Sequence, residues 1–232
     1  MNKRPVVISL GGSIMVPPDG IDVAYLRKFR ELVLHEVRRG VRVIVVVGGG
    51  STARAYQRAA NAVVHLDAED LDWLGIHATR LNAHLLRALF RDQAQKAVVK
   101  NPMRRIVWNR PVLIAAGWKP GRSTDDIAVR LARKFGAMRV INLTNIDAVY
   151  DKDPRVHRDA VPHAELSWPE FRKIVGGSWT PGANAPFDPV ASRLAARWGL
   201  EVVIANGKRL KNLRAILDGK LFRGTVIRPS DG

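Results

Sequence analysis

"VVVGGGSTARAYQ", residues 45 to 57, runs an apolar strand into three glycines and then into a helix. At such a junction the backbone N–H groups that begin the helix can bind an anion, and glycine lets a phosphate approach them closely. The stretch therefore predicts a phosphate-binding turn. It leaves open whether that phosphate belongs to a dinucleotide cofactor, to ATP or to a substrate.

Short apolar runs recur on both sides of this turn and alternate with helical patterns. We predict strands at residues 6–10, 41–47, 112–116, 140–143 and 202–205, and helices at 22–39, 71–89 and 123–135. The runs are continuous, which is typical of strands buried on both faces of a parallel sheet. Their alternation with helices predicts an α/β fold around a largely parallel sheet. The pattern of strands and helices is interrupted near residue 137. This divides the single predicted domain, 1–232, into lobes of about 1–136 and 137–232.

The composition excludes several kinds of site. The 232 residues include no cysteine, and the six histidines form no His-x3-His pair, so we expect no zinc site and no disulfide. No apolar run reaches the roughly 18 to 20 residues of a membrane span. The opening "MNKRPVVISLGG" lacks an apolar signal core, and we expect a cytoplasmic protein.

The formal net charge of +17 is extreme and attracts polyanions. Three explanations are open: nucleic-acid binding, a basic funnel for nucleotides, and a generally basic surface. The lysines and arginines are spread along the chain, form no tail and accompany no basic-aromatic motif of an RNA-binding sheet. We therefore predict a solvated basic surface and no nucleic-acid partner.

The glycine turn after residue 47 fits a dinucleotide fingerprint only loosely. Gly48, Gly50 and Ala53 match G-x-G-x-x-A, but that fingerprint needs an acidic residue at the end of the next strand. Residues 62–90 read as helix instead, and the chain contains no G-x4-G-K-[ST] motif. A second glycine turn, "VVISLGGSIM" (6–15), indicates two phosphates, or one phosphate chain held from both sides.

Two further polar loops follow predicted strands. "AAGWKPGRSTDD" (115–126) places hydroxyls and N–H groups at the positive end of a helix, which favours an anion. "LTNIDAVYDKDP" (143–154) offers Thr144, Asn145, Tyr150 and Asp153 to a nucleoside, with Tyr150 packing on a base or ribose.

Together these segments resemble the amino-acid kinase superfamily and, within it, the archaeal-type uridylate (UMP) kinases. The helix "LDWLGIHATRLNAHLL" (71–86) is the most discriminating, since its D-x-x-G-I-x-A-[TS]-R-x-N-A pattern is typical of UMP kinases. The other matching segments are "SLGGSIM" (9–15), "VVGGGSTARAY" (46–56), "WKPGRSTDDIA" (118–128), "LTNIDAVYDKDP" (143–154), "APFDPVASRLAARWGLEVVIANG" (185–207) and "GTVIRP" (224–229).

The resemblance implies a three-layer αβα sandwich that assembles as a homohexamer. It implies transfer of the γ-phosphoryl group of ATP to UMP, in pyrimidine nucleotide biosynthesis, with Mg²⁺ bridging the phosphates. The lobe of about 1–136 would bind the acceptor, and the lobe of about 137–232 would bind ATP.

The same resemblance assigns the site residues. It assigns the UMP contacts to Gly49, Asp72, Arg80, Gly117, Gly121, Arg122, Ser123 and Thr124. It assigns the ATP contacts to Gly11, Gly12, Ser13, Gly50, Arg54, Thr144, Asn145, Tyr150 and Asp153. The predicted catalytic residues are Arg54, Asp188 and Lys152. Arg80 either binds the acceptor phosphate or braces its helix. Arg54 lies one helical turn after Gly50, so its guanidinium can reach back over the phosphates.

The chain departs from the family pattern at three places. Ser9 stands where many members carry a lysine two residues before the first Gly-Gly, which leaves the transition-state cation unassigned. Lys152 is the first candidate for that cation, and Lys3 and Lys119 follow. Ala148 replaces a usual glycine, and the sequence Ala-Ala-Gly at 115–117 replaces Thr-Gly-Gly.

These departures leave two alternatives open. One is a kinase of the same fold with another small acceptor, such as a phosphorylated isoprenoid or an acyl acid. The other is a nucleotide-binding regulator or RNA-associated protein with weakened catalysis.

Overall fold

The computed structural model describes residues 4–154, 156–176 and 186–229. The strands in this part of the chain are β1 (Val6–Leu10), β2 (Val43–Val47), β3 (Val112–Ala115), β4 (Arg139–Thr144), β5 (Val149–Tyr150), β6 (Pro162–His163), β7 (Glu165–Ser167), β8 (Glu201–Asn206) and β9 (Thr225–Arg228). The helices are α1 (Gly12–Met15), α2 (Val23–Arg38), α3 (Gly50–Val63), α4 (Ala68–Phe90), α5 (Thr124–Phe135), α6 (Trp168–Val175), α7 (Pro189–Arg197) and α8 (Leu210–Leu217). One 3-10 turn, Arg91–Gln93, follows α4.

Seven of these strands form one sheet in the order β3-β2-β1-β4-β8-β9-β7. The pairs from β3 to β8 are parallel, β9 runs antiparallel to β8, and β7 pairs parallel with β9. In the register of the central pair, Ser9 on β1 lies opposite Asn142 on β4. The sheet therefore places the end of β1 beside the ends of β2 and β4.

Helices cover both faces of the sheet and give three layers. One apolar core packs alternate sheet residues against α2, α4 and α8, with Phe29, Leu86 and Leu213 buried in it. The other packs the opposite sheet face against α5, α6 and α7, around Leu131 and Phe171. Both faces are sealed from water, which explains why the central strands are apolar throughout.

The structure confirms the predicted αβα architecture and all five predicted strands, with ends shifted by at most two residues. The three predicted helices are α2, α4 and α5. The boundary near residue 137 falls between α5 and β4, but β1 and β4 pair directly, so both lobes share one sheet. Their separate roles stay a prediction.

Candidate functional site

Four loops meet along one edge of the sheet. Gly11 follows β1, Gly48 follows β2, Ala116 follows β3 and Asn145 follows β4. Because these strands are parallel and neighbours, their carboxyl ends lie side by side. Open α/β sheets bind their ligands at this edge.

The two glycine turns are in direct backbone contact. The N–H of Gly48 donates to the carbonyl of Leu10 over 3.0 Å, and a Cβ on Gly12 would collide with the backbones of Gly48 and Gly50. Gly50 has a φ of 66°, in the left-handed region that favours glycine. The turns therefore require glycine, and phosphates held by them would be adjacent.

A buried amide on α4 holds the second turn. Asn82 Nδ2 donates to the carbonyl oxygens of Gly48 and Gly49, over 3.0 and 2.9 Å. Because Asn82 binds both of these carbonyl groups, the backbone of the turn has a fixed orientation. Asn82 lies inside the discriminating sequence pattern of residues 71–86, but the sequence did not reveal its role.

The same helix also holds the loop after β3. Thr79 Oγ1 accepts from the N–H of Gly117 over 2.7 Å. Arg80 donates to the carbonyls of Trp118, over 3.0 Å, and Gly117, over 3.4 Å. Of the two roles predicted for Arg80, these contacts favour bracing, here of the loop rather than of its own helix. Helix α4 thus ties the second glycine turn to the predicted acceptor loop.

The acceptor loop ends in a capped helix. Asp72 Oδ2 accepts from the N–H of Gly121 over 2.8 Å, and its other oxygen has no hydrogen-bond partner among the described residues. Ser123 caps α5 by accepting from the N–H of Asp126, and Thr124 is the first residue of that helix. Gly121, Ser123 and Thr124 thus lie on one continuous segment at the start of α5, and Asp72 contacts that segment from α4.

Two acidic residues in the first turn of α5 have different partners. The carboxylate of Asp126 is bound by Arg130 through two N–H···O bonds and lies 3.6 Å from Arg122. Its charge is therefore balanced within α5 and the loop before it. The neighbouring Asp125 has no arginine or lysine partner among the described residues.

Asp125 instead joins three elements. Its Oδ1 accepts from the hydroxyl of Ser9 over 2.9 Å, and its Oδ2 accepts from the N–H of Asp188 over 3.2 Å. The residue as a whole is partly exposed, but its carboxyl group is enclosed, and this burial raises its pKa to about 6. Burial likewise raises the pKa of Asp188, which caps α7 through Ala191. The sequence did not identify Asp125 as a site residue.

The lysines and the arginine predicted to bind phosphate lie in different surroundings. Arg54 is exposed on α3, one turn after Gly50, and makes no hydrogen bond or ion pair within the described residues. Lys152 pairs with Asp159 in its own loop, at 2.6 Å. Lys119 lies over the ring of Trp118, and Lys3 lies outside the described residues. The role of each cation stays a prediction.

The predicted ATP contacts follow β1 and β4. Ser13 lies on α1, directly after the first glycine turn. The carbonyl of Thr144 accepts from the N–H of Gly207 over 2.8 Å, and its hydroxyl lies 3.4 Å from Asn145 Oδ1. Tyr150 lies on β5, and Asp153 follows it in the same loop. Ser13, Thr144 and Asn145 thus lie at the edge that carries the glycine turns, and the roles of all these residues stay predictions.

Two surface cavities lie away from this edge. A cavity of about 590 Å³ lies at the opposite edge of the sheet, where Val6, Arg139 and Glu201 begin strands. No predicted site residue lines it. Over residues 4–154, 156–176 and 186–229, no three His, Asp or Glu side chains gather to hold a metal.

In the same residue ranges, no helix is long and apolar enough to cross a membrane.

Known proteins resemble this chain over most of its length. The model of the amino acid kinase family matches residues 4–206. The uridylate kinase of Methanococcus maripaludis (strain C6) is 33% identical over 97% of this chain and 99% of its own length. That of Hyperthermus butylicus is 36% identical, over 95% and 96% respectively. The crystal structure of the Archaeoglobus fulgidus uridylate kinase superposes with a TM-score of 0.79 at 32% identity, over 96% of this chain and 99% of that one.

Proposed function

Because the chain belongs to the amino acid kinase family, we propose that it is a uridylate kinase, which transfers the γ-phosphoryl group of ATP to UMP and releases UDP and ADP. The observation that carries the proposal is the backbone contact between the two glycine turns, beside the loop that α4 braces. Relatives named uridylate kinase match nearly the whole chain, which favours UMP over an isoprenoid or acyl acceptor.

In this proposal the two substrates meet at the contact between the glycine turns. Gly49 faces UMP, while Gly11, Gly12 and Gly50 cradle the phosphates of ATP. Phosphoryl transfer needs the donor and acceptor oxygens in line, and it needs little covalent chemistry from the protein. Support comes from the interlocked backbone, which fixes the distance between the two cradles.

The acceptor side is built on α4 and the loop before α5. The free oxygen of Asp72 accepts a ribose hydroxyl, and the loop from Gly117 to Thr124 surrounds the base and phosphate. Support comes from the bonds that Thr79 and Arg80 make to this loop, because they fix its shape before UMP arrives.

The donor side and the charge of the transition state need cations. Arg54 supplies one by reaching from α3 over the phosphates, and its lack of an intramolecular partner among the described residues supports this role. A guanidinium binds phosphate oxygens strongly through paired N–H donors. We keep Lys152 as the second candidate, which requires it to leave Asp159 when ATP binds. Thr144, Asn145, Tyr150 and Asp153 hold the ATP nucleoside.

Mg²⁺ fits this site as a companion of ATP. The described residues offer no cluster of three acidic or histidine side chains, so the phosphates themselves would supply most of its ligands. Bound there, the ion would neutralise charge on the phosphoryl oxygens.

We further propose that the protein is cytoplasmic, serves pyrimidine nucleotide biosynthesis and works as a homohexamer. Exposed apolar side chains on α3 and α4 support assembly, since Tyr56, Val63 and Leu81 are each more than half exposed. Light scattering coupled to size-exclusion chromatography tests the hexamer, and a monomeric mass would refute it.

A coupled assay of ADP release tests the activity. With ATP and Mg²⁺, we expect turnover that depends on UMP, and much poorer turnover with CMP and AMP. No turnover with UMP, together with turnover of another small acceptor, would assign the fold to a different kinase. Nucleotide binding without any turnover, accompanied by salt-sensitive RNA binding, would instead indicate a regulator.

A further inference from the structure

Two arginines from different elements meet one carboxylate beside the predicted ATP contacts. Asp147 lies between Asn145 and Tyr150 in sequence, in the loop after β4. Arg209 approaches it with two nitrogens, since Nε lies 3.1 Å from Oδ1 and Nη2 lies 3.1 Å from Oδ2. Nη2 of Arg223 lies 3.1 Å from the same Oδ2. The cluster therefore joins the loop after β4 to the segments before α8 and before β9.

The backbone of each arginine is held by bonds that do not involve its own side chain. The N–H of Arg223 donates to Asn212 Oδ1 over 2.8 Å, and its carbonyl accepts from Asn212 Nδ2 over 2.7 Å. The N–H of Arg209 donates to the carbonyl of Asn206 over 3.1 Å. Nδ2 of Asn206 in turn donates to Asp147 over 2.9 Å. A change in either arginine side chain should therefore leave the local backbone in place.

The charges of the cluster do not cancel. Asp147 carries one negative charge, whereas the two arginines keep two positive charges at every pH of interest. Within the described residues, neither Arg209 nor Arg223 has another acidic partner. The Asp147 side chain is 15% exposed, and those of the arginines are 52% and 61% exposed. Two guanidinium groups carry more N–H donors than one carboxylate can accept, so donors remain for an anionic ligand.

The surplus charge lies on the side of β1 that faces away from the acceptor loop. Gly207, two residues before Arg209, donates its N–H to the carbonyl of Thr144 over 2.8 Å. A Cβ on Gly207 would lie 3.0 Å from Ile14, which follows the first glycine turn on α1. The sheet order places β4, β8 and β9 on this side of β1, and β2 and β3 on the other. Because β9 runs antiparallel to β8, the segment before β9 reaches the same edge.

We propose that Arg209 and Arg223 bind phosphate oxygens of the donor nucleotide, and that Asp147 holds their guanidinium groups ready on the donor side. The proposal rests on the proposed function and adds donor contacts to those predicted from the sequence. Guanidinium groups bind phosphates through paired, charge-assisted N–H donors. Because Asp147 already restrains both long side chains, less rotamer freedom is lost when ATP binds. The pair also brings positive charge to a donor side where Ser9 supplies none.

Loss of either guanidinium should weaken the binding of ATP and spare the binding of UMP. A hydrogen bond between charged groups is strong enough to change a dissociation constant about tenfold. The contact to the phosphate chain exists both before and during phosphoryl transfer. Its removal should therefore lower the affinity for ATP more than it lowers kcat.

Glutamine variants test the proposal, with Arg214→Gln as the matched control. Arg214 lies on α8 and is 51% exposed, but it contacts Asp218 and His35 instead of Asp147. For Arg209→Gln and for Arg223→Gln we expect the Kd of ATP with Mg²⁺, measured by isothermal titration calorimetry, to rise about tenfold. The KM for UMP should stay within about twofold of the wild type. Arg214→Gln should bind ATP as the wild type does.

Arg209→Lys separates the charge from the bond to Asp147. Glutamine can still donate to Asp147 but carries no charge, whereas lysine keeps the charge. We expect Arg209→Lys to bind ATP within about threefold of the wild type. A lysine variant that binds ATP no better than the glutamine variant would overturn the proposal. Arg223→Gln decides the matter if Arg209→Gln does not fold, because Asn212 holds the backbone there.

The other outcomes are equally decisive. Wild-type affinity for ATP in both glutamine variants would overturn the proposal, as would variants that lose affinity for UMP as much as for ATP. A wild type that binds ATP but does not turn over UMP overturns the proposed function, and the calorimetric comparison still tests the arginines. A wild type that turns over UMP, with glutamine variants that bind ATP normally, overturns the role of Arg209 and Arg223 alone.

Discussion

Replacing Asp125 with asparagine should change how the stability of the protein depends on pH. The carboxyl has an ordinary pKa of 3.8 and a pKa of about 6 in the fold, chiefly because it is buried. A carboxyl whose pKa is raised by folding stabilises the native state while it is protonated. That contribution is complete below pH 3.8 and is lost as the pH rises through about 6.

The magnitude follows from the two pKa values. Their difference corresponds to at most about 3 kcal/mol of unfolding free energy, at about 1.4 kcal/mol for each pH unit. Between pH 5 and pH 7 the wild type should lose about 1.3 kcal/mol of this contribution. Asparagine does not titrate, so Asp125→Asn should gain about that amount relative to the wild type over the same interval.

Urea unfolding followed by tryptophan fluorescence at pH 5, 6 and 7 measures this difference. Asp218→Asn is the control, because the neighbouring Arg39 lowers the pKa of that partly exposed carboxyl, and it stays charged over this interval. The stability of Asp218→Asn relative to wild type should not change between pH 5 and pH 7. If the unfolding free energies of Asp125→Asn and of the wild type change by the same amount between pH 5 and pH 7, the Asp125 carboxyl does not have a raised pKa.

Three further predictions concern the phosphate edge. Arg54→Ala should lower turnover at least tenfold with an unchanged melting temperature; unchanged turnover in the coupled assay removes Arg54 from the site. Gly12→Ala should destabilise the fold, because the new Cβ meets the backbones of Gly48 and Gly50; a wild-type melting temperature would show that the turns are not interlocked. Asn82→Ala should cost about 1 to 3 kcal/mol in urea unfolding, because two turn carbonyls lose their donor; a negligible loss would show that the amide does not hold the turn.

The central sheet could be predicted from the sequence because its signal is local. A strand covered by helices on both faces must be apolar along its length, as the run Val43–Val47 is. The glycine turns are equally local, since a strand, glycines and a helix lie in one stretch. The short strands β5, β6, β7 and β9 were missed, because they are brief and most of them are only partly apolar.

The contacts within the site could not be predicted in the same way. Whether Ser9 meets Asp125 depends on the order of strands and on the packing of α5 against β1, and nothing near either residue reveals this. Arg80 illustrates the same limit. Its position in the helix pattern allowed two roles, and only the fold brings the carbonyl of Trp118 within its reach.

A crystal structure with UMP and a non-hydrolysable ATP analogue tests the central claim most directly. We predict the UMP phosphate beside Gly49 and the loop from Gly117 to Thr124, and the terminal phosphate of the analogue beside Gly12 and Gly50. The two phosphates should face each other across the contact between the glycine turns. UMP bound elsewhere, such as in the cavity beside Arg139 at the opposite edge of the sheet, would contradict the account.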